Sequence, residues 1–68
     1  MTESQVKILI NHLYSGSEID RVTAFRNYGI ADLRSRISDA ERMLNIRIDR
    51  DRVPGKRYLK YFIKSKLK

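Results

Sequence analysis

Basic side chains surround a Pro-Gly pair near the C-terminus, and their chemistry suits an anionic ligand. The cluster consists of Arg50, Arg52, Lys56 and Arg57. Lys and Arg form charge-assisted hydrogen bonds with phosphate oxygens, and the neighbouring hydroxyl of Tyr58 could donate one more. Exposed hairpin tips are often charged, since edge Lys and Arg deter aggregation. The density of positive charge around Pro54–Gly55 favours phosphate binding over that alternative.

A second set of polar side chains occurs in the segment 32–44. At 100° per residue three of them point away from an apolar stripe, and two arginines lie on its opposite flanks. These residues are Ser35, Ser38 and Arg42, with Arg34 and Arg36 on the flanks. Arg can pair bidentately with guanine or phosphate, and Ser permits close approach. A solvated face whose arginines pair with Asp39 is the alternative.

The distribution of charge supports a polyanionic partner. The chain has 68 residues and a net charge of +7. The first thirty residues carry as many acids as Lys and Arg, so the whole excess lies in residues 31–68. A basic half joined to a neutral half is typical of proteins that bind polyanions.

Several functional classes find no support in the sequence. The chain has no Cys and a single histidine, His12, so we expect no metal site and no cofactor. It contains no Gly-rich phosphate loop and no converging acids, so we expect no enzymatic activity. No apolar run approaches the length of a membrane span, and the N-terminus does not resemble a secretory signal. A cytoplasmic protein is the expectation.

Helical periodicity predicts two helices in the neutral half. Val6, Leu9, Ile10 and Leu13 form the apolar stripe of the first helix. A Gly-Ser break and a short strand or extended link around Ile19 follow. Asp20 should cap the second helix, and Gly29 should end it in a left-handed conformation. The residues expected to form its buried side are Val22, Ala24 or Phe25, and Tyr28.

The basic half predicts a third helix and a hairpin. Ile30, Leu33, Ile37, Ala40 and Leu44 alternate by three and four along a helix from about Asp32 to Leu44. Alternating residues from Ile46 onward predict a strand, Pro54–Gly55 a type II turn, and Leu59–Ile63 a return strand. Residues 64–68 are expected to be a frayed basic tail. The result is one domain, residues 1–68, mainly α with a small β-hairpin, in a winged helix-turn-helix plan of three helices plus a C-terminal two-stranded wing.

The sequence also resembles a known family. The run TAFRNYGIADLRSRISDAERMLNIRI, followed by GKRYLKYFI, is similar to the small winged helix-turn-helix domains of phages and prophages. The matching positions are Gly29, Ile30, Leu33, Arg36, Ile37, Ile46, Ile48, Arg57, Tyr58 and Tyr61. Ser35 and Ser38 stand where repressor-type units carry branched apolar residues, so the resemblance is to the winged branch.

The resemblance implies binding to double-stranded DNA by a transcriptional regulator or a recombination accessory factor. Helix 32–44 would lie in the major groove, and the wing 50–57 would contact the backbone or the minor groove. Arg34 is then the best candidate for a base contact and Arg42 for a phosphate contact. Arg36 is expected to act mainly as a brace, with its stem along the core and its head on an acid or a phosphate.

Two alternatives and the oligomeric state are left open by the sequence. A phage-encoded inhibitor that binds a host protein, or an RNA-binding protein, could have the same composition. On DNA, a dimer or a cooperative array is conceivable, and the sequence shows no dimerisation element.

Overall fold

The computed structural model describes residues 2–67. Its elements, in chain order, are α1 (Thr2–Tyr14), β1 (Ile19–Asp20), α2 (Arg21–Tyr28), α3 (Leu33–Leu44), β2 (Asp49–Arg52), β3 (Leu59–Phe62) and a short 3₁₀ helix (Lys64–Lys66). The order of helices and strands is the expected one. Three helices and an antiparallel sheet therefore make up the described chain.

The sheet has three strands, which corrects the prediction of a two-stranded wing. Its order is β1-β3-β2, and both pairs are antiparallel. Ile19 lies opposite Tyr61 across the β1–β3 pair, and both side chains are buried. The link after α1 is held as a strand because Ile19 must enter the core beside Tyr61. This pairing spans most of the chain, so local periodicity could not predict it.

The core joins α1, α3 and one face of the sheet. Its members are Val6, Leu9, Leu13, Ile19, Ala24, Ile30, Leu33, Ile37, Ala40, Ile48, Tyr61 and Ile63. The stripes predicted for the first and third helices are confirmed, with Ile10 and Leu44 half-buried at their edges. Tyr61 is buried, as expected for the return strand. Packing of α1 against α3 thus fixes the orientation of α3 and determines which of its faces points to solvent.

Both ends of α2 follow the prediction, whereas its buried face follows it only in part. The Asp20 carboxylate accepts a hydrogen bond from the Thr23 amide at 2.8 Å. Gly29 adopts a left-handed φ of 69°, and its amide donates to the Phe25 carbonyl at 2.9 Å, which is the αL type of helix ending. The Ile30 amide donates to the Ala24 carbonyl at 3.2 Å. Ala24 is buried, whereas Phe25 is 65% exposed and Val22 is 40% exposed. The prediction of a buried Val22 is wrong. Of the alternatives Ala24 and Phe25, it is Ala24 that is buried, because the short helix turns Ala24 and the edge of Tyr28 inward.

The hairpin and the C-terminal residues also differ from expectation. The first strand begins at Asp49 and not at Ile46, because Asn45 ends α3 in a left-handed conformation and the link only reaches the core at Ile48. The predicted frayed tail is a 3₁₀ helix over Lys64–Lys66, whose first amide donates to the Asp49 carboxylate at 3.0 Å. Lys68, also assigned to that tail, lies outside the described residues.

His12 joins the first two helices at the edge of the core. Its Nε2 lies 2.7 Å from the Glu18 carbonyl, and its Nδ1 lies 2.8 Å from the Tyr28 hydroxyl. A carbonyl only accepts, so Nε2 carries a proton and donates to it. In the neutral imidazole Nδ1 then accepts from Tyr28. Both ring nitrogens are therefore engaged within the fold.

Candidate functional site

The N-terminus of α3 is closed by its own cap. Asp32 precedes the helix and accepts hydrogen bonds from the Ser35 amide at 3.3 Å and the Ser35 hydroxyl at 2.7 Å. The Ser35 side chain and then its backbone hold the pKa of Asp32 below its usual range, and Arg36 and Arg34 lower it further. Asp32 was expected within the first turn and is instead the N-cap. Ser35 therefore serves the cap as well as facing outward.

The arginines of α3 fall into two classes. The Arg36 side chain is only 18% exposed, with Nε 3.2 Å from Asp39 Oδ2, although the alignment falls short of a hydrogen bond. Arg42 is 77% exposed, yet it donates to the same carboxylate at 3.0 Å. Arg34 is exposed, and none of the ion pairs among the described side chains involves it. Arg34 is thus the arginine of this helix that is positioned to engage a ligand without first leaving an acid.

A cleft of about 420 Å³ lies between the start of α3 and the base of the hairpin. Its lining brings together Arg34 and Ala31 from the α3 end with Arg57 and Tyr58 from the hairpin, and Arg21 from the start of α2. Arginines from three separate elements outnumber the single acid in the lining, Asp32. The cleft is cationic, and the engaged carboxylate of Asp32 makes the helix N-terminus itself a poor anion site.

Arg21 is a site residue that sequence reasoning missed. It follows Asp20, which lies opposite Lys60 in the β1–β3 pair, so the same register carries Arg21 toward Leu59 at the mouth of the cleft. No local pattern marks this arginine. A prediction that Arg21 belongs to the site would have required knowing that β1 pairs with the hairpin.

The tip of the hairpin carries the rest of the predicted basic cluster. Lys56 donates its amide to the Val53 carbonyl at 3.0 Å, and Gly55 has a φ of 74°, as a type II turn requires. Arg52, Lys56 and Arg57 are exposed around this turn. The structure therefore keeps these three side chains together, with Arg57 shared between the tip and the cleft.

Arg50 is separated from that cluster by its contacts. Its guanidinium lies 3.0 Å from Glu41 Oε2 and 5.4 Å from the centroid of the Tyr61 ring. Glu41 also accepts from the Ile48 amide at 2.8 Å. Arg50 and Glu41 together tie the hairpin to the last turns of α3. Ser38, the remaining predicted contact, is exposed on the outer face of α3.

The surroundings of the cleft offer little other chemistry. Within residues 2–67 no group of three or more His, Cys, Asp or Glu is placed to hold a metal ion. None of the helices in that range combines the length and the apolar character needed to cross a bilayer. Comparison with protein-family models, curated proteins and solved structures finds no significant match. The functional assignment therefore rests on the geometry of the cleft and the hairpin.

Proposed function

We propose that this chain is a winged helix-turn-helix protein that binds double-stranded DNA, with α3 in the major groove and the hairpin 50–57 on the backbone or in the minor groove. The observation that carries the proposal is the convergence of Arg21, Arg34 and Arg57 on one cleft from three elements. Charges brought together from distant parts of a chain, rather than scattered over its surface, suit a ligand with regularly spaced anions.

The architecture supports this proposal. Helix α2 ends at Gly29 and α3 starts at Leu33, so a tight turn joins the two helices. The hairpin then follows α3 and is tied to it by Glu41. At 12 residues α3 is about 18 Å long, and the major groove of B-DNA admits a helix of that size.

The two parts of the surface are proposed to differ in what they contact. Arg34 and Ser38 lie on the exposed side of α3, where base edges are within reach of a helix in the groove. Arg52, Lys56 and Arg57 at the hairpin tip would bind phosphates and set the register of the protein on the duplex. Arg42 is proposed to bind a phosphate after exchanging its Asp39 partner, and Arg36 to keep that acid as a brace.

Binding to duplexes at several salt concentrations tests the proposal. The affinity for duplex DNA should fall linearly on a log-log plot, with a slope of about 0.9 per phosphate contact. Duplex RNA should bind more weakly, because the major groove of A-form RNA is too deep and narrow for α3. Absence of duplex DNA binding at low salt, or equal binding to both duplexes, would contradict the proposal.

The biological role is proposed on the resemblance alone. A regulator of transcription or an accessory factor in recombination, encoded by a phage or another mobile element and acting at the nucleoid, needs a small DNA-binding surface of this kind. Selection of bound duplexes from a random pool would show whether the protein assembles on DNA as a dimer or as a cooperative array. A palindrome indicates a dimer, and direct repeats indicate a cooperative array.

A further inference from the structure

The outer face of α2 carries an apolar surface beside the cationic cleft. Val22 and Phe25 are three residues apart and therefore neighbours on one helix face. With Ala31 they line a shallow groove of about 440 Å³. Val22, Phe25 and Ala31 are called the α2 patch below. Arg21 and Ala31 line both the groove and the cleft, so the two sites adjoin.

Phe25 has the most exposed large apolar side chain among the described residues. A buried aromatic side chain removes roughly 150–250 Å² from water, which makes phenylalanine a preferred core residue. In this fold the core position of α2 is occupied by Ala24, and Phe25 remains 65% exposed. A bound partner that covers Phe25 would recover the burial that the fold leaves unused.

The charge at the rim of the groove selects among possible partners. The charged side chains that line it are Arg21 and Arg26, both exposed, and no carboxylate is among the described residues of the lining. A second copy that presented the same patch would oppose these arginines with its own, and like charges repel. A phosphate backbone would satisfy the arginines but would offer nothing apolar to Phe25. An acidic protein segment with an apolar side chain satisfies both.

We propose that the α2 patch docks an acidic segment of a partner protein. One aromatic or branched apolar side chain of that segment lies against Phe25 and Val22, and flanking carboxylates pair with Arg21 and Arg26. Because the groove adjoins the cleft, the bound partner lies directly beside any ligand held there. This inference does not depend on DNA binding, since Val22 and Phe25 are outside the cleft lining.

Amide chemical-shift mapping of the whole chain with a short synthetic peptide tests the docking site. The probe has a central Phe-Leu pair flanked by Asp and Glu. In one control peptide Ser-Ser replaces the central pair, and in another Gln replaces the acids. We expect the probe to shift the amides of Val22, Phe25, Arg26 and Ala31, and both control peptides to shift them much less.

Variants separate this site from general attraction to a basic protein. Phe25→Gln, with Val22→Thr as a second variant at the same surface, should weaken peptide binding about tenfold. Met43→Gln is the matched control, because Met43 is a similarly exposed apolar residue on α3. It should leave peptide binding unchanged, and all three variants should keep the salt-dependent binding to duplex DNA.

Four results would overturn the inference. The first is the absence of any amide shift at millimolar peptide. The second is a set of shifts centred on the hairpin tip, with the Ser-Ser control peptide as effective as the probe. The third is self-association of the chain that Phe25→Gln abolishes, and the fourth is loss of duplex binding in Phe25→Gln. The third result would assign the patch to a second copy, and the fourth to the DNA surface. Failure of duplex binding in the unaltered chain would contradict only the proposed function.

Discussion

The arginines of this protein differ in the contacts that their side chains make within the fold. Arg36 and Arg42 share the carboxylate of Asp39, and Arg50 is held by Glu41 and the Tyr61 ring. A side chain that must leave an acid before it binds a phosphate gains less from the exchange than one that does not. Arg34 therefore stands out on α3, although its residue type is the same.

Replacement of Arg34 tests direct contact with bases. Arg34→Ala should cost on the order of 1–3 kcal/mol of binding free energy at the preferred duplex and should relax sequence preference. Lys56→Ala, at the hairpin tip, should weaken all sequences alike and lower the salt slope by about one unit. Affinities for a selected and a scrambled duplex, measured for both variants, give the comparison. Equal loss on both duplexes in Arg34→Ala would exclude base contact by this residue.

Removal of the charge of Asp32 should strengthen DNA binding. This acid lines the cationic cleft, so its carboxylate repels a phosphate bound there. Asp32→Ser keeps a side-chain oxygen that can cap α3, because Ser is as good an N-cap as Asp. We expect several-fold tighter binding to every duplex at low salt, and a smaller gain at high salt because the charge is exposed and screened. Unchanged affinity in Asp32→Ser would place the phosphates away from the cleft.

The same residue predicts a pH dependence of folding. The hydrogen bonds from Ser35 lower the pKa of Asp32 in the folded chain. A carboxylate with a depressed folded pKa contributes its full stability above the unfolded value and loses it as the pH falls through the folded value. Unfolding of the unaltered chain should thus become easier below about pH 4. Asp32→Ser cannot titrate there, so urea unfolding of this variant should show a smaller loss across that window. An identical loss in both proteins would remove Asp32 from the account.

At the scale of elements, the Glu41 side chain is one of the contacts that join the hairpin to α3. Glu41 accepts from the Ile48 amide and from Arg50, and thereby connects the last turns of the helix to the start of β2. The distance between the helix and the basic tip depends on this connection. In the proposed interface the role of Glu41 would be to position the hairpin.

Substitution of Glu41 should separate its two contacts. Glu41→Ala leaves the amide of the buried residue Ile48 without its acceptor, which should cost about 1–3 kcal/mol of unfolding free energy. Glu41→Gln retains an acceptor oxygen and loses only the partly exposed pair with Arg50, so its cost should be about 1 kcal/mol or less. Urea unfolding measures both. If the two variants were equally destabilised, the amide contact would not be the one that matters.

Most elements could be predicted from the sequence, because their signals are local. The helices follow from signals within their own segments, whatever the rest of the chain does. These signals are the apolar spacing of Val6 to Leu13 and of Ile30 to Ala40, and the caps at Asp20 and Gly29. The pairing of β1 with the hairpin, the contribution of Arg21 and the exposure of Val22 were missed. Each depends on which residues distant in the chain become neighbours. The periodicity of apolar residues does not indicate which distant segments become neighbours. In the structure, the pairing of Ile19 with Tyr61 determines this.

At the scale of the whole molecule, the central question is whether net charge alone or its arrangement would account for the proposed DNA binding. The chain carries +7, and any protein of that charge attracts a polyanion at low salt. The proposed interface requires more than net charge, because it attributes the binding to the arginines that line one cleft. Two sets of exposed basic residues with equal charge can distinguish these explanations.

The most direct test compares a triple variant of the cleft with a matched triple variant elsewhere. The first replaces Arg21, Arg34 and Arg57 with Ala. The second replaces Lys7, Arg26 and Arg47, which are also exposed and lie outside the cleft lining. Both triple variants have the same net charge. The account predicts that the cleft variant loses about three units of salt slope and most of its duplex affinity, while the control stays close to the unaltered chain. Equal losses in the two variants would contradict it, because net charge alone would then explain the binding.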